Sequence, residues 1–224
     1  LQVIVHVGSN CLRDARELAR QAGALGARAI SALSPSYFKP TSVGSLLGWC
    51  GAIAAEAPET PFFYYDIPEM TGVCLPMPEF LARASATIPN FVGLKFTNTN
   101  LISLQACLAL RDPTPQVLWG VDECLLAALV LGVEGAVGST YNFAAPLYHR
   151  LIEAFRRGDL AAAREEQLRS VRLVESLSRH GFMASAKHVM TRLGVSVGPP
   201  RPPHTPLTDE QTLELDRDLE RFLA

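Results

Sequence analysis

One lysine of this chain stands in a segment that is typical of a buried strand. The segment 91–97 reads Phe-Val-Gly-Leu-Lys-Phe-Thr, an apolar run with Lys95 near its end. A buried ammonium group without a partner tends to lose its proton, and the neutral amine can attack a ketone to form a Schiff base. The alternative is a lysine whose side chain reaches solvent from the strand end. Among the lysines Lys39, Lys95 and Lys187, only Lys95 lies in an apolar strand, which makes it the candidate nucleophile.

Tyr65 is the candidate proton carrier for a reaction at such a lysine. A ketone held as an iminium is an electron sink that lets the bond between its α and β carbons break, which is a retro-aldol reaction. This step requires a group that takes the proton of the hydroxyl on the β carbon, and a tyrosine near a cation can do so. Tyr65 ends the predicted strand before the lysine strand. Its neighbour Tyr64 must face the other way, and either could be a core aromatic, but the turn after Tyr65 favours Tyr65.

Five more positions near predicted strand ends carry groups that could contact a substrate. Thr97 closes the lysine strand. Asp122 and Glu123 could bind a ligand, although acidic residues are also common in the first turn of a helix. Gly120 would allow a ligand to approach the backbone closely, or would simply form a tight turn. Ser139 could donate a hydrogen bond to a substrate oxygen, or cap a turn.

The histidines and cysteines show no pattern typical of a metal site or a catalytic triad. The five histidines pair with no serine or cysteine and are interpreted as surface or core residues, at His6, His149, His180, His188 and His204. The cysteines include no CxxC pair and have no histidine at metal-ligand spacing. They are interpreted as reduced core residues of a cytoplasmic protein, at Cys11, Cys50, Cys74, Cys107 and Cys124. No metal is therefore expected.

The charge pattern argues against two classes of partner. The formal net charge is −2, and the chain has no basic run and no basic amphipathic helix. No apolar stretch reaches the length that spans a bilayer. We therefore expect no nucleic-acid or membrane partner, and a small molecule is the expected ligand.

The elements that would position these residues alternate between strand and helix. Six apolar strands are predicted, at 3–7, 28–33, 62–65, 91–97, 117–120 and 135–138, each followed by a helical segment. Strands that are apolar throughout are typical of a parallel sheet buried on both faces. An open doubly wound sheet and a (β/α)8 barrel both fit, but no GxGxxG opens a helix. The polar residues at the carboxyl ends of several strands favour a TIM barrel, whose active site lies at that face.

A barrel requires eight strands. Six are predicted here, so we expect the chain to lack the first two strands, which would precede Leu1. Residues 1–142 form the predicted barrel portion, and 143–224 a helical appendage packed on it in the same domain. Its helices are predicted at 146–157, 159–179 and 182–193, with a last helix from a capping box at Thr208 to about Phe222. A helix between the fourth and fifth strands is expected to end near Arg111.

Four motifs together resemble the class I aldolase family that includes dihydrodipicolinate synthase and N-acetylneuraminate lyase. They are Tyr-Tyr-Asp-Ile-Pro at 64–68 followed by Thr-Gly at 71–72, Gly-Leu-Lys-Phe-Thr at 93–97, Gly-Val-Asp-Glu at 120–123, and Gly-Ala-Val-Gly-Ser-Thr at 135–140. In this order and spacing they are a specific signal, and the similarity extends from about His6 to Arg201.

The resemblance implies a (β/α)8 barrel in which Lys95 is the Schiff-base lysine and Tyr65 shuttles protons. The sugar-acid site would be lined by Thr97, Gly120, Asp122, Glu123 and Ser139. The implied reaction cleaves N-acetylneuraminate reversibly to N-acetylmannosamine and pyruvate, with no added cofactor. Members of the family are usually homotetramers.

Two places favour the lyase branch of the family. Dihydrodipicolinate synthases usually carry a carboxylate-binding arginine where this chain has Met70, and the segment 120–123 looks like that of the lyases. Two departures stand against full activity. The loop of Gly-Thr-Thr-Gly-Glu type that binds the pyruvate carboxylate is absent, and Asp66 replaces an expected Asn or His. Another 2-keto acid aldolase, or a truncated barrel impaired in catalysis, therefore remains an alternative.

Overall fold

The computed structural model describes residues 1–110 and 114–220. Its strands are β1 (Ile4–His6), β2 (Ala29–Leu33), β3 (Phe62–Asp66), β4 (Phe91–Phe96), β5 (Gln116–Trp119) and β6 (Gly135–Ala136). The helices are α1 (Leu12–Ala24), α2 (Val43–Ala54), α3 (Pro68–Thr71), α4 (Met77–Thr87), α5 (Leu101–Leu108), α6 (Leu125–Val130), α7 (Tyr141–Arg156), α8 (Leu160–Arg179), α9 (Phe182–Arg192) and α10 (Asp209–Leu219), with a 3-10 turn at Asp122–Cys124.

The six strands form one parallel sheet in which each strand pairs with the next along the chain. A doubly wound sheet reverses its strand order at a switch point, and this sheet has none among the described residues. The structure is therefore an α/β fold with a curled, six-stranded parallel sheet, consistent with a TIM-barrel-like fold. The predicted alternation of strand and helix is confirmed.

The chain forms two compact units, Leu1–Val121 with Leu131–Val137, and Asp122–Val130 with Gly138–Ala224. In the first unit, the sheet buries one face against the helices. Tyr64 is 1% exposed, and its ring centroid lies 4.7 Å from that of Phe80 in α4. Because side chains alternate along a strand, Tyr65 faces the opposite side of the sheet. This answers the question that the sequence left open: Tyr64 is the core tyrosine.

The second unit is helical, and α7 packs against α8. Its buried side chains include Leu147 and Leu151 of α7, and Leu173 and Leu177 of α8. The predicted capping box is present, since Thr208 Oγ1 accepts from Gln211 N while Gln211 Oε1 accepts from Thr208 N. Helix α7 begins at Tyr141, not at Pro146 as predicted. The proline is tolerated because the backbone departs from helical geometry at Ala144 (φ −121°, ψ 23°).

Several boundaries differ from those predicted. The short helix α3 was not predicted, because four residues carry no helical periodicity. Strand β6 ends at Ala136, two residues earlier than expected, and the helix from Asp122 starts as a 3-10 turn. Helix α5 ends at Leu108. The predicted helix ends near Arg111 and Phe222 lie outside the described residues.

The expectation that all cysteines are core residues was wrong for two of them. All five are free, and Cys50 and Cys107 are buried, but Cys11 and Cys74 are exposed. Cys11 occupies the N-cap of α1 and Cys74 lies in the loop before α4, so neither stands on a buried face. Within 1–110 and 114–220, no helix combines the length and the apolar character that crossing a membrane requires.

Candidate active site

The two residues predicted to act in catalysis are neighbours in the sheet. Tyr65 of β3 is directly opposite Lys95 of β4 in the strand register. The Lys95 Nζ atom lies 3.9 Å from the centroid of the Tyr65 ring, and both side chains are half-buried. An ammonium group over an aromatic ring is attracted by the ring's negative face. The structure thus brings the candidate nucleophile and the candidate proton carrier together at the carboxyl ends of two strands.

Thr97 and Gly120 meet beside this pair. Thr97 is two residues beyond Lys95, hence on the same face, and its backbone N–H continues the ladder to Asp66 O at 2.8 Å. Its hydroxyl is buried and has no hydrogen-bond partner among the described residues. A Cβ atom on Gly120 would lie 1.9 Å from that hydroxyl. Position 120 therefore requires glycine, and the Thr97 hydroxyl keeps its capacity to bond a ligand.

His6 lies at the same end of the sheet and was not predicted as a site residue. Its ring centroid is 5.9 Å from that of Tyr65, with the planes at 88°, an edge-to-face arrangement. Partial burial, and secondly the charge of Lys95, lower the pKa of His6 below its usual range. The signal that could have found it is its position at the carboxyl end of the first strand.

Asp66 lies on the other face of β3, among buried groups. It is 2% exposed, and its carboxylate accepts one hydrogen bond from Asn98 Nδ2 at 3.2 Å. Burial raises the pKa of Asp66 to about 6, and the Asn98 hydrogen bond opposes this shift. The sequence departure at this position therefore places a titratable group next to Tyr65 in the chain, but facing away from Lys95.

The remaining predicted site residues belong to the second unit. Asp122 is 6% exposed, and its Oδ2 atom accepts from Thr140 N at 3.1 Å and from the Thr140 hydroxyl. Glu123 is half-buried and Ser139 is exposed. A Cβ atom on Gly138 would lie 1.7 Å from Asp122 Oδ1, so a side chain there would displace the carboxylate. Asp122 thus joins the 3-10 turn to the segment that carries Ser139.

No group of three histidine, cysteine, aspartate or glutamate residues in the described parts of the chain is arranged to hold a metal ion. The predicted site residues supply an amine, a phenol, hydroxyl groups and carboxylates. Such a set can perform Schiff-base chemistry on a ketone and bind a hydroxylated substrate.

Comparison with known proteins assigns the family. The model of the dihydrodipicolinate synthetase family matches residues 1–222. The chain belongs to this family. It is 42% identical over 224 residues to the N-acetylneuraminate lyase of Gallus gallus, an alignment that covers 99% of this chain and 73% of that protein. The resemblance inferred from the four motifs is confirmed.

Solved structures of related proteins agree with this placement in the dihydrodipicolinate synthetase family. The chain matches the N-acetylneuraminate lyase (sialic acid aldolase) of Aliivibrio salmonicida with a TM-score of 0.96 and 42% identity, over 100% of this chain and 75% of that one. It also matches a catalytic-lysine mutant of the Ruminococcus gnavus sialic acid aldolase, with a TM-score of 0.87 and 28% identity, over 100% and 75% of the two chains.

Met70 stands where the resemblance leads us to expect an arginine in a dihydrodipicolinate synthase. Met70 lies in α3, the short helix after the tyrosine strand, and is 77% exposed. A thioether is at most a weak acceptor and cannot pair with a carboxylate. The arginine function expected of dihydrodipicolinate synthases is therefore missing at this position.

Proposed function

We propose that this chain cleaves N-acetylneuraminate reversibly to N-acetylmannosamine and pyruvate, through a Schiff base on Lys95 and without an added cofactor. The observation that carries the proposal is the placement of Lys95 Nζ over the Tyr65 ring on neighbouring strands. The 42% identity to the Gallus gallus lyase supports the choice of substrate.

In the proposed reaction, the Lys95 amine attacks the keto carbon, C2, of the open-chain sugar acid. The Tyr65 hydroxyl gives up its proton as water leaves, and an iminium forms. The Tyr65 oxygen then takes the proton of the C4 hydroxyl, the C3–C4 bond breaks, and its electron pair forms the C2–C3 double bond of an enamine, while C4 departs as the aldehyde of N-acetylmannosamine. Tyr65 returns that proton to C3, which restores the iminium. Water then releases pyruvate and the free amine, and the proton set free goes back to the Tyr65 oxygen.

The substrate-binding residues are proposed in two groups. Thr97 and Gly120 would line the site beside the lysine, where the buried Thr97 hydroxyl has unused hydrogen-bonding capacity within the described part of the chain. Asp122, Glu123 and Ser139 would bind the hydroxyl groups of the sugar acid. Carboxylates accept hydrogen bonds from several hydroxyls at once, which suits a polyhydroxylated ligand.

We further propose that the sheet is a (β/α)8 barrel without its first two strands in this chain. Residues 143–224 would be helices packed on the barrel in the same domain. The protein is proposed to act as a cytoplasmic homotetramer. The family assignment and the parallel sheet of six consecutive strands support the barrel.

A substrate panel tests the function. Purified protein is assayed for pyruvate release from N-acetylneuraminate, and for condensation of pyruvate with N-acetylmannosamine and with aspartate semialdehyde. We expect cleavage of N-acetylneuraminate and condensation of pyruvate with N-acetylmannosamine, with little condensation of pyruvate with aspartate semialdehyde. Predominant turnover of aspartate semialdehyde would overturn the choice within the family. Inactivity towards every substrate would favour an impaired chain.

A further inference from the structure

Three buried hydroxyl groups of the second unit form a continuous chain that ends on Asp122. The Thr140 hydroxyl bonds Asp122 Oδ2 and Tyr148 Oη, and Tyr148 Oη lies 2.9 Å from Ser170 Oγ. Ser170 Oγ also lies 3.2 Å from the backbone oxygen of Asp122. Thr140 and Ser170 are 0% exposed and Tyr148 is 4% exposed. These four contacts therefore form a buried ring that begins and ends on Asp122.

The direction of these hydrogen bonds follows from the number of protons. Thr140 donates its single proton to Asp122 Oδ2, so the Thr140 oxygen accepts from Tyr148. Ser170 has one proton and two acceptors within reach, Tyr148 Oη and the backbone oxygen of Asp122, so it donates to one of them at a time. Removing any of the three hydroxyls takes a hydrogen bond from a buried neighbour.

Helix α8 holds the same turn at a second point. Gln167 Nε2 donates to the backbone oxygen of Asp122 at 3.2 Å, while its Oε1 accepts from Leu126 N at 2.7 Å. One amide side chain therefore bonds the beginning and the end of the segment 122–126. Packing of α7 on α8 alone would require neither this bridge nor three buried hydroxyls, since apolar side chains fill such a contact without the cost of buried polar groups.

We propose that Thr140, Tyr148 and Ser170 are positioning residues for substrate selection. They hold the Asp122 carboxylate and its turn, so that Glu123 and Ser139 face the polyhydroxylated part of the substrate in one fixed arrangement. This inference rests on the proposed function and deepens it. The chemistry at Lys95 does not depend on these residues, which makes the two parts separable by experiment.

The test compares a long and a short acceptor aldehyde in condensation with pyruvate, using Tyr148→Phe and Ser170→Ala. N-acetylmannosamine carries the hydroxyls that the turn would bind, and glycolaldehyde lacks most of them. We expect each variant to lower kcat/KM for N-acetylmannosamine by about 5- to 30-fold, as for a lost buried hydrogen bond, mainly through KM. The value for glycolaldehyde, and borohydride trapping of pyruvate on the protein, should stay within about two-fold of the unmodified chain.

Two matched pairs of variants distinguish a loss of positioning from a loss of folding: Tyr141→Phe with Tyr148→Phe, and Thr140→Ser with Thr140→Val. Tyr141 packs edge-on against Tyr148 at 4.2 Å, and its buried hydroxyl has no hydrogen-bond partner among the described residues. Tyr141→Phe therefore removes an equivalent buried hydroxyl that does not belong to the hydrogen-bonded row. It should leave the ratio of kcat/KM for N-acetylmannosamine to kcat/KM for glycolaldehyde unchanged. Thr140→Ser retains the donor and should keep most selectivity, whereas Thr140→Val should lose it.

The outcomes are distinguishable. Equal loss for both acceptors, in proportion to a loss of pyruvate-trapping protein, would show a folding role only and overturn the inference. The inference would also be overturned if the ratio of kcat/KM for the two acceptor aldehydes were the same in Tyr148→Phe, Ser170→Ala and the unmodified chain. Failure of the unmodified chain to trap pyruvate at all would contradict the proposed function itself, and the positioning role with it.

Discussion

The Nζ atom of Lys95 lies 3.9 Å from the centre of the Tyr65 ring, and the two residues are partners in the register of adjacent parallel strands. Carboxyl ends of parallel strands meet at one edge of a sheet, so two side chains distant in sequence become neighbours without any loop having to place them. Rigid strands hold such a pair more precisely than loops would. The Schiff-base chemistry that we propose for this chain depends on this relationship.

Replacing Tyr65 by phenylalanine should separate carbon–carbon bond cleavage from Schiff-base formation. The variant keeps the ring over Lys95 but loses the hydroxyl that carries the proton. We expect kcat for N-acetylneuraminate cleavage to fall by about 10²- to 10⁴-fold, the usual contribution of a general acid–base group, while pyruvate still attaches to Lys95. Steady-state kinetics and borohydride trapping measure the two effects. Tyr64→Phe is the control, since Tyr64 faces α4, and it should retain kcat within a few-fold of the unmodified chain.

Replacing Gly120 by alanine should disturb the site through Thr97. The new Cβ atom would lie 1.9 Å from Thr97 Oγ1, too close for any contact, so the threonine or the backbone must move. We expect a loss of about 1–3 kcal/mol in the free energy of unfolding and a marked fall in kcat/KM. Gly48→Ala is the control, because nothing lies within 4 Å of its added methyl group on α2. It should raise stability by about 0.5–1 kcal/mol, and equal losses in both variants would contradict the role of Thr97.

Asp66 should make stability depend on pH in mildly acidic solution. Its pKa is about 6 in the folded chain against 3.8 ordinarily, so between these values the folded state binds more protons than the unfolded state. The contribution of Asp66 to stability is therefore largest below about pH 4, falls as the pH rises to about 6, and is constant above. Asp66→Asn should remove this fall and gain about 1–3 kcal/mol at pH 7 in urea unfolding. A variant with the same pH profile as the unmodified chain would show that Asp66 is not shifted.

His6 should act on Tyr65 through ring contact, not through its charge. The lowered pKa of His6 favours the neutral imidazole, and its ring meets Tyr65 edge to face at 5.9 Å. We expect His6→Phe, which keeps an aromatic edge, to retain most of kcat, and His6→Ala to lose several-fold. Kinetic assays at pH 7 to 8 measure both. The opposite order would mean that a ring nitrogen is required.

His6 and Asp66 also differ in the sign of their effect on stability. Because the pKa of His6 is lowered on folding, its contribution is present above the ordinary value of 6.5 and is lost as the pH falls through the folded-state value. The contribution of Asp66 to stability is instead present at low pH and is lost as the pH rises, because its pKa is raised on folding. Comparing His6→Phe with Asp66→Asn over the same pH range therefore assigns each part of the stability profile to its residue.

Much of the lysine site could be predicted from the sequence because its residues end apolar strands. A strand buried on both faces is recognisable as a continuous apolar run, and its last residues must lie at the active-site edge of a parallel barrel-like sheet. Lys95, Tyr65 and Thr97 are polar groups in such positions, and the structure places them on one face. Local sequence favoured Tyr65 over Tyr64 only through the turn that follows it, because the choice depends on which face of β3 packs against α4.

The parts that escaped prediction depend on contacts between residues far apart in the chain. The hydroxyl chain joins Asp122 of the 3-10 turn to Thr140 and Tyr148 of α7 and its N-cap, and to Ser170 of α8. A buried Tyr or Ser looks like any other helical residue until the helices pack. His6 was set aside because a single histidine in an apolar strand carries no pattern of its own. Its contact with the ring of Tyr65 is seen only in the folded sheet.

The attachment of pyruvate to one specific lysine tests the central claim most directly. The protein is incubated with pyruvate and borohydride, digested, and its peptides are analysed by mass spectrometry, alongside Lys95→Ala, Lys39→Ala and Lys187→Ala. The account predicts a reduced pyruvate adduct on the Lys95 peptide, absent in Lys95→Ala and retained in the other two variants. An adduct on Lys39 or Lys187, or a chain that turns over N-acetylneuraminate without any adduct, would contradict it.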